Sequence, residues 1–221
     1  MEVETAVRER RSIRRFKPDT VPQETLREIL EAARWSPSWG NTQPCELYVV
    51  TGETLAEFKK VNRQKCIDGE PPSSEIPMPE VWPDVLKRRY VDVGKSVLTS
   101  LSIARKDVEG RNQYYADMFN LFDAPAMILV CLERDLSIEY AMLDVGLVTQ
   151  TVCLLAHERG LGTCILAASV RYPWILRDIL PIPEDRVIVI GMAMGYPDGS
   201  SPANHFERKR AELDEWVTWI S

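Results

Sequence analysis

Arg10, Arg11, Arg14 and Arg15, with Ser12 among them, put four guanidiniums and a hydroxyl within six residues of a 221-residue chain whose formal net charge is −6. A guanidinium is a planar fork of N–H donors that matches two phosphate oxygens at once. A basic cluster in an acidic chain reads as a local anion site, and the overall charge argues against nucleic acid as a partner. A second basic group, Arg208-Lys209-Arg210, lies near the other end, so two distant clusters can converge on one phosphate. A third feature is Ser36-Pro37-Ser38-Trp39-Gly40-Asn41-Thr42-Gln43-Pro44. Its hydroxyls, amides and flat ring suit hydrogen bonding to the edge of a planar heterocycle. Each feature also has a plainer reading: basic runs are commonly solvated faces, and Ser/Pro/Gly/Asn loops are commonly turns.

Other chemistries lack their parts. There are two histidines, His157 and His205, and His157 sits where a helix end favours a cation. No G-x-S-x-G, H-E-x-x-H or Walker loop is present. Gly191-Met192-Ala193-Met194-Gly195 is a glycine-poor strand exit rather than a dinucleotide fingerprint. The five cysteines form no C-x-x-C pair, which points to reduced structural thiols and no metal site. An enzyme built this way needs a bound cofactor for its chemistry. No apolar run reads as long enough for a membrane span, and MEVETAVRER has no secretory apolar core, so a cytoplasmic protein is expected.

The elements that must position these residues read as mixed α and β in one domain. Residues 2–10 predict a short helix. Thr20 with Pro22 and Gln23 reads as a helix start, followed by Leu26, Ile29, Leu30 and Ala33 at helical spacing. Residues 46–50 predict a strand and 54–62 a helix. The proline-rich stretch 63–84 reads as a surface excursion, and such long loops are often functional. Helical spacing resumes from Val85 to Leu101, then Tyr114, Tyr115, Phe119 and Phe122 form an aromatic segment. Residues 126–132 predict a buried strand. Residues 139–159 predict a helix apolar on most sides, ended by Gly160, for a fold centre or a subunit interface. A short strand or loop at 163–167, a helix at 172–180 and a strand at 186–191 complete the core. Trp216, Val217, Trp219 and Ile220 near the C-terminus call for a covering surface, such as a second subunit.

Taken in order, these pieces resemble the FMN-dependent nitroreductase family over essentially the whole chain. The matching residues are Arg10 to Phe16; Ser36-Pro37-Ser38 with Asn41-Thr42-Gln43-Pro44; Asp144-Val145-Gly146 with Gln150; Gly160-Leu161-Gly162-Thr163-Cys164; Gly191 to Pro197; and Arg208-Lys209-Arg210. The resemblance implies an α+β fold with a mixed, mainly antiparallel sheet flanked by helices, in an intertwined homodimer with two FMN at the interface. It implies that Arg10, Arg11, Ser12, Arg208 and Arg210 hold phosphate and ribityl, and that Arg14 sits near flavin N1 and O2. Pro37, Ser38, Trp39 and Asn41 would reach the flavin from the other subunit. Leu166 and Ala167, with Ala168, would line the N5 edge, where the family often has Gly or Glu-Gly. The implied activity is transfer of electrons from NAD(P)H through FMN to a nitroaromatic, quinone or related small-molecule acceptor by a ping-pong route. Reductive dehalogenation or flavin fragmentation is the alternative within the family, and a non-enzymatic binding module the alternative outside it. Residues 63–122 would cap the acceptor site, lined by Trp39, Tyr115, Phe119 and Phe122, and 205–221 would form an arm on the partner.

Overall fold

Four strands, β1 (Glu46–Thr51), β2 (Ala126–Glu133), β3 (Gly162–Leu166) and β4 (Arg186–Gly195), form one sheet of order β1-β2-β4-β3 in the computed structural model, which describes residues 1–221. All three ladders are antiparallel, and the parallel component is a single bridge between Ser12 and Thr163. Side chains alternate across a strand, and β2 shows the consequence. Met127, Leu129 and Cys131 enter one core, while Ala126, Ile128, Val130 and Leu132 enter another on the opposite face. A sheet buried on both faces must be apolar throughout, as β2 is.

The first core is covered by α3 (Gly52–Ile67), α5 (Val108–Phe119) and α7 (Pro173–Ile179). The second is covered by α2 (Gln23–Ala33) and α6 (Ile138–Glu158). Two further helices, α1 (Val3–Glu9) and α4 (Asp84–Ser100), bury little: Ala6 alone in α1, Val97 alone in α4. At 21 residues, with an 18-residue stretch of mean hydropathy 1.4, α6 is long and apolar enough to cross a membrane by length and composition alone. Here it packs Ala141, Val145, Val152 and Ala156 on the sheet instead. It ends as Gly160 predicts. Gly160 has φ +73°, its N–H bonds to His157 O, and the Leu161 N–H bonds to Ala156 O. These are the two bonds of a left-handed glycine stop.

Several boundaries differ from the sequence reading. Thr20 caps nothing: α2 starts after an extended Pro22 with no side-chain cap. α3 runs to Ile67 because Arg63, Gln64 and Lys65 favour a helix without contributing apolar period. The irregular excursion is thereby reduced to residues 68–83. It is tethered by Glu75, which pairs with Arg177 at 2.7 Å and accepts the Ile188 N–H at 2.9 Å. β4 continues through Gly195, where a strand exit was expected. Phe206 and Arg208 dock on residues 8–11 of their own chain.

Candidate functional site

The strand-like segment 12–16 lies along the β3 edge. Ile13 donates its N–H to Thr163 O at 2.9 Å, and Phe16 bridges Pro197. The approach is close enough that a Cβ on Gly162 would overlap the Ile13 side chain. Glycine there is what lets the arginine segment seat against the sheet. Its other side is held by Asn204, buried to 2% exposure, which accepts the Arg14 N–H at 2.7 Å and donates to Arg15 O and Asp198 O. One side chain thus satisfies three backbone groups, and losing it strands each at about 1–3 kcal/mol.

The two basic clusters meet, as their chemistry suggested. The Arg208 guanidinium donates to Arg10 O and Arg8 O, and Arg11 donates to Phe206 O. The Phe206 ring lies between Arg11 and Arg14, with centroid distances of 5.6 and 5.4 Å. Arg14 also donates to Ser12 O, and Arg210 bonds only the neighbouring Lys209 O. None of Arg10, Arg11, Arg14, Arg208 and Arg210 has a carboxylate partner, whereas Arg15 is paired with Asp123. Nε of Arg10 and of Arg11 is buried without an acceptor. Burial, then the neighbouring Arg14, holds the Arg11 pKa below its ordinary value; burial, then Arg11, Arg210 and Arg10, does the same to Arg208. Crowded cations with orphaned donors are electrostatically incomplete without an anion. A phosphate-bearing group fits this donor set.

β3 leads from that cluster to Leu166, which is buried, and Ala167, which is half-buried and opens a short 3-10 turn at 167–170. The turn is held by Asn62 on α3. Asn62 is fully buried and gives both amide hydrogens to carbonyls, those of Ala168 and Phe119. Burial raises the Cys164 thiol to about 11 despite nearby Arg14 and Ser12, so this thiol stays protonated at neutral pH.

The loop bearing Pro37, Ser38, Trp39 and Asn41 is elsewhere. Beyond its internal hydrogen bonds, Trp39 of this loop bonds Asp144 and meets the Tyr140 ring, both on α6, and no hydrogen bond from the loop reaches the arginines. Trp39 is 64% exposed and meets Tyr140 edge-on at 5.9 Å. With Pro44, Leu136 and Asp144 they line a groove of about 580 Å³.

The acceptor-side aromatics divide. Phe122 is 2% exposed and packs in the first core, and it also lines a cavity of about 360 Å³ that includes Arg14. Residues 121–123 turn with φ of 53°, 54° and 66°, which drives the ring inward. Phe119 packs against Tyr172 at 5.8 Å at the edge of the same core, and Tyr115 is 48% exposed. Tyr114, a member of the aromatic segment read from sequence, lines the same cavity beside Phe122, Arg14 and Asp117. Asn204, Phe206, Asn62 and Tyr140 were missed. Single Asn, Phe and Tyr residues carry no spacing signal, and their roles arise from contacts across as many as 195 residues.

Comparison with known proteins decides what frame this is. The Nitroreductase family profile matches residues 7–196. The chain belongs to the nitroreductase family. Chloronitrobenzene nitroreductase of Comamonas testosteroni is 33% identical over 99% of this chain and 96% of its own length. Nitrobenzene nitroreductase of Ectopseudomonas oleovorans is 32% identical over the same shares. Among solved structures, the FMN-dependent nitroreductase NfnB of Mycobacterium smegmatis, in complex with NADPH, superposes with TM-score 0.93 at 27% identity, covering 99% and 97% of the two chains. An FMN and NADPH-dependent NfnB from Sphigopyxis sp. gives 0.94 at 30% over all of both chains. The nitroreductase match at residues 7–196 spans the Arg10–Arg15 segment, β3 and the Trp39 loop, while Arg208 and Arg210 lie beyond it.

Proposed function

We propose that this nitroreductase is an FMN-dependent NAD(P)H oxidoreductase acting on nitroaromatic compounds and related flat acceptors such as quinones. The observation that carries the reading is the cluster of five arginines, assembled from both ends of the chain, that has no carboxylate partner. Arg10, Ser12, Arg208 and Arg210 hold the phosphate and ribityl. Arg208 spends two N–H groups on backbone carbonyls and keeps the others for the ligand. Arg14, pinned by Asn204 and backed by Phe206, supplies fixed positive charge beside N1 and O2, where a reduced ring is electron-rich. FMN held by these residues would supply the hydride-accepting and electron-donating chemistry between nicotinamide and acceptor. No protein base is needed, consistent with a site free of histidine. One shared ring face for donor and acceptor gives ping-pong kinetics. The nitroaromatic substrates named for several relatives favour this chemistry over dehalogenation or flavin fragmentation.

The working unit in this reading is a cytoplasmic homodimer. Large apolar side chains stand exposed on three elements: Tyr140, Leu143 and Leu147 on α6; Val85, Leu86 and Tyr90 on α4; and Trp216, Trp219 and Ile220 in the tail. So much exposed apolar area marks an interaction surface. A partner covering it brings the Pro37–Asn41 loop of one subunit to the flavin of the other. Five free thiols suit a reducing compartment. Heat release and chromatography of the flavin test the reading. The expectation is one FMN per chain, and protein that neither contains nor rebinds FMN overturns it.

A further inference from the structure

Asp144 is out of place on α6. It lies on the face that buries Ala141 and Val145, is 6% exposed, and has no cationic partner. A carboxylate is expensive there unless something uses it. Its one hydrogen bond is from the Trp39 N–H, at 3.1 Å. Its field also shows at Cys45, whose thiol is pushed to about 11 by burial and then by Asp144.

The receiving loop is strained. Gly40, Asn41 and Gln43 have φ of 54°, 58° and 51°, and only the first is glycine. Non-glycine residues persist there only when their surroundings hold them, and such strain gathers at ligand sites. The hydrogen bonds holding residues 38–43 are otherwise internal: Asn41 N–H to Ser38 O, Thr42 N–H to Trp39 O, Gln43 N–H to Ser38 Oγ, and the Gln43 side-chain amide to Asn41 O. For residues 38–43 Asp144 provides the one hydrogen bond to the rest of the molecule; at the loop's start Ser36 bonds back to Ala33 of α2. Tyr140, one helical turn earlier on the same face, meets the edge of the Trp39 ring. One stripe of α6 therefore grips both the backbone and the ring of a single loop residue.

We infer that Asp144 is a positioning residue that preorganises the 36–44 loop, so that Ser38 and Asn41 are presented to the flavin in fixed geometry. The inference rests on the FMN reading above and adds the element that sets the loop. It explains a buried carboxylate where helix packing alone would take an apolar side chain. Asp144 touches neither donor nor acceptor in this account; it acts through Trp39.

The test compares Asp144→Ala with Asp144→Asn in the full chain. Asparagine keeps an oxygen to accept the Trp39 N–H, and alanine does not. Hydrogen exchange of the peptide containing Trp39, measured without cofactor, reads the clamp itself. One slow amide should be present in the parent and in Asp144→Asn and lost in Asp144→Ala. FMN titration reads the consequence. Asp144→Ala should bind about tenfold more weakly, the size of a charge-assisted hydrogen bond, with Asp144→Asn within about threefold of the parent. Unchanged exchange in Asp144→Ala overturns the clamp. Faster exchange with unchanged FMN affinity overturns its positioning role, as does equal loss of affinity in both variants. If the parent itself does not bind FMN, the functional reading fails, while the exchange data still judge the clamp.

Discussion

Arg10 offers a way to separate ligand binding from folding at one side chain. Its guanidinium makes no hydrogen bond or ion pair within the protein, its Nε is buried without an acceptor, and it adds to the repulsion around Arg208. Replacing it with alanine removes one charge-assisted contact to a phosphate, worth about 1.5–3 kcal/mol. FMN affinity should fall roughly ten- to hundredfold. The cofactor-free protein should not suffer, because a repulsive term is relieved and no bond is lost. At a hundredfold excess of FMN over its Kd, the parent gains about 2.7 kcal/mol, which for a chain of this size is roughly 5–11 °C in Tm. At that same FMN concentration, a tenfold weaker variant retains about half of the gain. Calorimetry of both proteins with and without FMN reads all four states. Arg208→Ala is the control. It forfeits bonds to Arg8 O and Arg10 O, so its Tm should fall even without FMN. If Arg10→Ala lowers the cofactor-free Tm and leaves the FMN-induced shift intact, Arg10 is a structural residue and the anion argument fails.

Three other outcomes follow from the same geometry. Phe122→Ala should destabilise the fold by about 3–5 kcal/mol, whereas Tyr115→Ala should leave Tm unchanged and alter acceptor KM; chemical denaturation and steady-state kinetics tell them apart, and the reverse pattern would refute both roles. At pH 8 iodoacetamide should reach Cys131, Cys153 and Cys164 only after denaturation, since all three are buried. Burial raises Cys131 to about 12 and Cys164 to about 11 from 9.0, so the stability of their neutral forms is whole below pH 9 and drains as pH climbs toward 11–12; native labelling of these thiols, or stability flat across that range, contradicts it. Deleting residues 212–221 removes Trp216, Trp219 and Ile220 and should weaken dimerisation and FMN occupancy together by sedimentation and absorbance; an unaltered flavinated dimer refutes that role for the tail.

What could be read from sequence was local or periodic. Arg10 to Arg15 announces itself by density, β2 by seven buried residues in succession, and the end of α6 by Gly160. The burial of Phe122 was not legible, because an aromatic after a polar helix looks the same whether it stays exposed or turns inward through a left-handed backbone. Asn204 was invisible because its three bonds depend on bringing residues 14, 15 and 198 to one point. Asp144 was visible only as part of a family pattern, since its meaning lies in a loop 105 residues away. Periodicity reports which face is buried, but it does not report which buried polar group a distant backbone requires.

The most direct test of the functional reading is an anaerobic two-step titration of the purified, FMN-loaded protein. The account predicts that NADPH or NADH bleaches the visible flavin absorbance, and that a nitroaromatic added after removal of excess nucleotide restores it, with the nitro compound reduced in proportion. A flavin that neither nucleotide bleaches, or that stays bleached when the nitroaromatic is added, would contradict it.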